Sequence, residues 1–350
     1  MIWYRENYST MPLSPLTEGR DTPLEKFYVM PDIDMHLSYF SEKKETTRVE
    51  SLCDFFRLNK NVPKEIYLSA DAGFGKTAFS KYLTMLWCQG HLKDETYDCF
   101  KEEDVSALSG FEFVFLLPLR DSSSVCHVDE IIQTHLIKNL QCSQSLPDNF
   151  VSEILNREKC LVILDGLDEW SHPQNNCTRP KESVPQRYAG RKNCVILTTT
   201  RPWKLGNSDI KTSRIDRIVE LVQLNNESVL ELEMNALREM KKGLPVEELK
   251  SQQQQLNKAM QDNDLEDLIE VPLILMYMIA LWCDGKPITE SKSKLYSSII
   301  ELLLSRTLKL HPDLGTAPDS SQCELPQCFS GQGSCKKHSL FIKALGELAF

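Results

Sequence analysis

With 350 residues, 41% apolar and 26% charged, the chain is long enough for one large core or two to three modest ones, and its balance excludes a disordered or fibrous protein. A formal net charge of -10 argues against a surface that neutralises phosphate backbones, so no nucleic-acid partner is expected. The N-terminus, Met1-Ile2-Trp3-Tyr4-Arg5-Glu6-Asn7, lacks the basic-then-apolar pattern of a signal peptide. The longest apolar stretch, Val271 to Cys283, falls short of the ~20 residues that span a membrane. A cytoplasmic protein with no membrane partner is expected, in which the sequon-like triplets at Asn7, Asn176 and Asn226 carry no sugar. Of its 12 cysteines, Cys88, Cys160, Cys194 and Cys283 sit in apolar segments, where free thiols act as small hydrophobes.

In chain order, residues 1 to about 60 read as irregular, because Pro12, Pro15, Pro23 and Pro31 break any long helix. From Glu65 short apolar runs alternate with helical stretches, the pattern of an α/β fold with a mostly parallel sheet. The expected strands are Ile66–Ala70, Phe113–Leu119, Cys160–Leu164, Cys194–Thr198 and Ile218–Leu221, several apolar almost throughout, as strands covered on both faces should be. Helices are expected at 76–88, 128–139 and 148–156. Beyond Asn226 the spacing of Leu230, Leu232, Met234, Leu237 and Met240, then the run Val271–Cys283, predicts an all-helical second unit. Gln252–Gln255 reads as a solvated helix face or a loop. No repeat of solenoid type is visible. Leu340, Ile342, Leu345, Leu348 and Ala349 are spaced like one face of a helix that is still running at Phe350, which suggests a fragment of a longer polypeptide.

The segment Ala70-Asp71-Ala72-Gly73-Phe74-Gly75-Lys76-Thr77-Ala78 joins a strand to a helix through a glycine-bearing loop. Gly73 and Gly75 open backbone conformations closed to other residues and let amide N–H groups approach phosphate oxygens. The helix N-terminus adds its positive dipole. Lys76 reaches the β and γ phosphates, and the Thr77 hydroxyl is placed to ligate magnesium, so ATP or ADP with Mg2+ is the expected cargo. Ala70 stands where the usual pattern has its first glycine, which an alanine tolerates if its φ is negative.

The run Leu161-Val162-Ile163-Leu164-Asp165-Gly166-Leu167-Asp168-Glu169-Trp170 drives a buried strand into an acidic cluster. Asp165 is the expected second holder of the magnesium, and Asp168 or Glu169 is the candidate to orient and deprotonate an attacking water. A further strand ends in Thr198-Thr199-Thr200-Arg201-Pro202-Trp203. Arg201 reads as a γ-phosphate contact, against an ion pair with a carboxylate or packing on Trp203. Arg120 admits the same two readings, and there the structural one is favoured.

Together these motifs resemble the NACHT class of STAND NTPases, which includes the NOD-like receptors of innate immunity. The likeness rests on A-D-A-G-F-G-K-T, L-V-I-L-D-G-L-D-E, L-T-T-T-R-P, V-P-L-I-L-M-Y-M-I-A-L-W and L-Y-S-S-I-I-E-L-L-L, and runs from about Thr22 to Phe350. It implies a five-stranded ASCE-type parallel sheet with helices on both faces and the sensor strand between the phosphate-loop and acidic strands. It implies an N-terminal segment, 1–60, that contacts nucleotide through Thr22-Pro23-Leu24 to Tyr28-Val29, and a nucleotide-binding core at 61–224. A helical domain at 225–310, whose Pro272 packs on the adenine, and the start of a winged-helix region at 311–350 complete the likeness. In such proteins ADP holds a closed monomer and ATP permits self-association into a ring. The expected function is a signalling switch with slow ATP hydrolysis, acting through an unknown adaptor. The alternatives are a non-hydrolysing nucleotide-binding scaffold and a metabolic P-loop kinase; a GTPase is disfavoured because no N-K-x-D motif is present.

Cys323, Cys328, Cys335 and His338 could form a structural zinc site, but their spacing matches no common finger, and loop thiols are the favoured reading.

Overall fold

The computed structural model describes residues 1–13, 21–37, 45–56, 63–92, 100–122, 125–140, 147, 149–173, 182–188, 190–206, 210, 215–288, 291–311 and 323–349. Pro15, Asp148, Asn176 and Phe350, singled out in the sequence, lie outside the described residues. The chain divides into one unit of Met1–Met11 with Pro23–Asn225 and another of Pro12–Thr22 with Asn226–Phe350.

The first unit is built on a seven-stranded sheet in the order Thr46–Arg48, Ile33–His36, Arg217–Leu221, Glu65–Ser69, Cys194–Thr200, Cys160–Asp165, Phe113–Pro118. The last five are mutually parallel and are the five expected strands, each within two residues of its expected ends. Cys194–Thr200 lies between the phosphate-loop strand and the acidic strand, as the resemblance implied. Leu161, Val162, Ile163 and Leu164 are fully buried because helices cover both faces, which is why this strand reads as a continuous apolar run. Lys76–Leu92 presents Phe79, Leu83 and Leu86 to the sheet at helical spacing, each fully buried. Burial of each such side chain stabilises the fold by ~1.5–3 kcal/mol.

The irregular reading of residues 1 to about 60 is corrected here. Ile33–His36 and Thr46–Arg48 extend the sheet by two antiparallel strands. Ile2–Tyr8 is helical, and its Tyr4 hydroxyl donates to Val114 O at 3.0 Å while accepting from Leu116 N at 3.0 Å. Phe113–Pro118 is the outermost strand on that side, so Tyr4 occupies backbone groups that an open edge would offer to another chain. The prolines are compatible with this, since none interrupts the short helix.

Other expected helices shift modestly. Lys76–Leu92 runs past Cys88, Val128–Ile132 continues into a π-helical turn at Gln133–Ile137, and the third helix is Phe150–Arg157. Glu102–Ser109 is a helix the sequence reading left out. At the ends of the strands remote from the loop, Arg187 forms a bidentate ion pair with Glu65, and Arg191 grips Asp129 at 2.7 and 2.6 Å. Both arginines are nearly buried, so losing one partner of either pair would strand a charge.

In the second unit the elements described beyond Asn226 are helices, Asn226–Met240, Val246–Gln261, Glu266–Ile269, Pro272–Cys283, Lys292–Leu310, Gly333–Lys337 and Ser339–Ala349, with a 3-10 turn at Gln327–Phe329. Leu232, Ala236, Leu256, Leu275 and Ile279 are buried, whereas Leu230 is exposed. Pro272 occupies the first turn of its helix, where its missing N–H costs nothing. Gln252–Gln255 lies on a helix and is partly engaged: Gln252 accepts from Trp282 Nε1 at 3.0 Å, and Gln253 donates to Glu233 at 2.9 Å. No helix is long and apolar enough to cross a membrane among the described residues. Among the same residues no group of three or more His, Cys, Asp and Glu side chains is placed to hold a metal ion, Cys323, Cys328, Cys335 and His338 included. Cys335 is buried, and the backbone N–H groups of Ser334 and Cys335 donate to Glu301 at 2.9 and 2.8 Å.

Candidate nucleotide-binding site

The phosphate loop leaves the sheet at Ala70, which is buried and whose N–H donates to Thr200 O at 3.1 Å. Among the described residues only Asp264 combines a side chain with positive φ, so Ala70 sits in ordinary backbone and needs no glycine. Gly73 (φ 86) and Gly75 (φ 90) do lie in the left-handed region, as the loop demands. Ala72, Phe74 and Ala78 stand before, between and after them, and Phe79 N donates to Gly75 O at 2.8 Å to start the helix. A loop with two left-handed glycines thus runs straight into the N-terminus of Lys76–Leu92, and helix N-termini are places where anions bind.

Lys76 Nζ donates to Ala70 O at 2.7 Å and Asp71 O at 2.9 Å, which arches the side chain back over its own loop. Burial lowers its pKa, opposed mainly by Asp168, while Arg201 adds to the lowering. The half-buried ammonium is engaged only by backbone carbonyls of its own loop among the hydrogen bonds described, so its positive charge is left for an anion, and charge-assisted hydrogen bonds to phosphate are strong.

Asp165 ends its strand at the same level. Its Oδ2 accepts from Thr77 Oγ1 at 2.8 Å, and its Oδ1 accepts from Ser80 Oγ at 3.0 Å and Thr199 Oγ1 at 2.8 Å. Thr199 Oγ1 in turn accepts from Gly166 N at 2.8 Å. Three elements, the loop helix, the acidic strand and the sensor strand, are therefore fastened at one carboxylate. A hydroxyl and a carboxylate side by side are hard oxygen donors of the kind magnesium prefers beside phosphates, so the residues fit that ion.

Gly166 turns the chain sharply at φ 84, and a Cβ there would lie against Glu169. Leu167–Glu169 forms one 3-10 turn, which brings both further acids back toward the strand tips. Asp168 Oδ2 pairs with Arg201 Nε at 2.8 Å. Glu169 receives Arg120 Nε at 2.8 Å and Nη2 at 2.9 Å. That fork lowers the Glu169 pKa, and the same bond raises that of Arg120. Arg201 is held by a carboxylate and not by Trp203, whose exposed ring has Lys204 at 6.0 Å.

Ser80 is the residue of this site that the sequence reading missed. It lies three positions after Thr77 on one helix face, a spacing that gains meaning only once Asp165 is placed opposite. Tyr28, in the segment implied to line the base, is half-buried and packs against Tyr82 of the loop helix with ring centroids 4.7 Å apart. Pro272 belongs to the second unit.

The family model of the NACHT domain matches residues 65–239, half of the chain. The human "NACHT, LRR and PYD domains-containing protein 10" is 27% identical over 175 residues, which cover 47% of this chain and 24% of that protein. The matched stretch thus spans about a quarter of the relative's length. The family match begins at the strand that feeds the phosphate loop and contains every acid, hydroxyl and arginine described at the tips of the sheet, and on this ground the chain belongs to the NACHT family of P-loop nucleoside triphosphatases.

Proposed function

We propose that this chain is a nucleotide-controlled signalling switch, which binds ATP or ADP with magnesium, hydrolyses ATP slowly and self-associates when ATP is bound. The observation that carries the reading is the 2.8 Å contact between Thr77 and Asp165 beside a loop whose two glycines take positive φ. Amides of Ala72 to Ala78 and the Lys76 ammonium would bind the phosphates, and Thr77 with Asp165 would hold the ion. Magnesium, when bound, supplies charge neutralisation along the phosphate chain. Asp168 or Glu169 would orient water, and Arg201, its Nε kept on Asp168, would offer the rest of its guanidinium to the γ phosphate.

A cytoplasmic, innate-immune-like role with an unidentified adaptor belongs to the same proposal. It is supported by the family and by a relative named for LRR and PYD domains beside its NACHT domain. A second reading, a scaffold that holds nucleotide without turnover, is favoured by one observation: arginines occupy both acids that could serve as base. Phosphate release from purified protein separates the two, and light scattering in ADP and in ATP reports association. Slow release with a mass increase in ATP is expected; binding with no release over many hours supports the scaffold.

A further inference from the structure

Three consecutive threonines end the sensor strand, and all are buried. Side chains alternate between the faces of a strand, so Thr199 lies on the opposite face from its two neighbours. Thr198 Oγ1 and Thr200 Oγ1 have no hydrogen-bond partner among the described residues, whereas Thr199 Oγ1 has two. It donates to Asp165 Oδ1 at 2.8 Å, since a carboxylate has no proton to give, and it accepts from Gly166 N at 2.8 Å. One hydroxyl thus joins the carboxylate assigned to the metal to the residue that opens the turn bearing Asp168 and Glu169.

This hydroxyl stands where the backbone ladder stops. Cys160–Asp165 and Cys194–Thr200 pair in register up to Leu164 and Thr198. Beyond that point Gly166, at φ 84, swings the acidic strand away, and side chains continue the ladder. Thr199 holds Gly166 N, and two residues further along both segments Arg201 Nε holds Asp168 Oδ2 at 2.8 Å. Inside the turn Glu169 N donates to Gly166 O at 3.0 Å, so a displacement of Gly166 is passed on to the acids. Hydrogen bonds in series strengthen one another, which suits such a chain to carrying a restraint.

We infer that Thr199 is a positioning residue, whose hydroxyl carries the restraint that magnesium places on Asp165 over to Gly166 and so to the turn that bears both acids. The inference rests on the proposed binding of nucleotide with magnesium at this loop. A metal held through Oδ2 stops the carboxylate from rocking. Thr199 is bonded to the other oxygen and loses the same freedom, and the Gly166 N–H follows. Ser80 Oγ donates to that same Oδ1 from the loop helix, with no hydrogen bond to the turn among the described residues, so it steadies the carboxylate and relays nothing.

The test is backbone hydrogen exchange over residues 166–170 in the ADP complex, with and without saturating magnesium. Wild type is compared with Thr199→Val, Thr199→Ser, Ser80→Ala and the control Thr198→Val. Magnesium should slow exchange at Gly166 by about 5-fold in wild type, the effect of one better-held hydrogen bond. Thr199→Val should still bind magnesium with ADP, its metal midpoint raised by about 10-fold, yet show no magnesium effect on the turn. Thr199→Ser should restore that effect. Ser80→Ala should keep it once the metal is saturating, and Thr198→Val should match wild type. Retained ADP binding shows that each variant folds, the wild-type comparison needs no variant, and exchange reads the relay whether or not ATP is turned over. If magnesium binds with ADP and leaves the wild-type turn unchanged, or if Thr199→Val keeps the effect, the inference is overturned and the binding site stands. If magnesium has no influence on nucleotide binding by wild type, the reading beneath it falls as well.

Discussion

Thr77 and Asp165, eighty-eight positions apart in sequence, meet at 2.8 Å through a hydroxyl and a carboxylate oxygen. The other oxygen of Asp165 is held by Ser80 and Thr199, so the carboxylate cannot rotate without breaking two further hydrogen bonds. Its orientation is fixed before any ligand arrives, which spares the ordering cost on binding.

Ser80→Ala removes one of those restraints without touching the loop. Outer partners of metal-holding carboxylates typically contribute 10–100-fold in metal affinity. The magnesium concentration that half-saturates ATP binding should therefore rise by about 10-fold, and Ser80→Thr should restore much of it. Titration of the metal at fixed nucleotide reads this, and an unchanged midpoint in Ser80→Ala contradicts the assigned restraint.

Tyr4→Phe tests the N-terminal helix. The ring stays, but Val114 O and Leu116 N lose their shared partner at a buried site. A cost of ~1–3 kcal/mol is expected, a drop in Tm of about 2–4 °C per kcal/mol in a unit of this size. An unaltered melting curve would mean that the helix does not seal the edge in solution.

The five parallel strands were legible because burial on both faces forces an unbroken apolar run, as in Leu161–Leu164. The loop and acidic residues were legible because phosphate chemistry fixes their order and spacing along the chain. Ile33–His36 was not, because a strand near the sheet edge carries Asp34 and His36 and reads as loop. Ser80 was overlooked although it shares a helix face with Thr77, because a lone serine in an apolar helix carries no signal until a carboxylate lies opposite. The forks from Arg120 to Glu169 and from Arg187 to Glu65 depend on strand order, which no local pattern encodes.

Glu233 provides a pH-dependent test in the second unit. It is fully buried and accepts from Gln253 at 2.9 Å and Asn257 at 3.1 Å. Burial raises its pKa above the ordinary carboxylate value, with those two hydrogen bonds opposing. A folded-state pKa above the unfolded one means that this group favours folding most when protonated, below the unfolded pKa, and that this contribution is lost as pH rises through the folded value. Glu233→Gln should accordingly melt higher than wild type at neutral pH, with the gap closing in acid below the unfolded glutamate pKa. A variant that melts lower at neutral pH, or a gap that widens in acid, contradicts this sign.

The most direct measurement of the account is calorimetric titration of ATP with magnesium into the purified chain and into Lys76→Ala. Loss of charge-assisted hydrogen bonds to phosphate, ~1.5–3 kcal/mol, predicts one nucleotide per wild-type chain and at least about 10-fold weaker binding by the variant. Equal affinities for the two proteins would contradict a phosphate site at this loop.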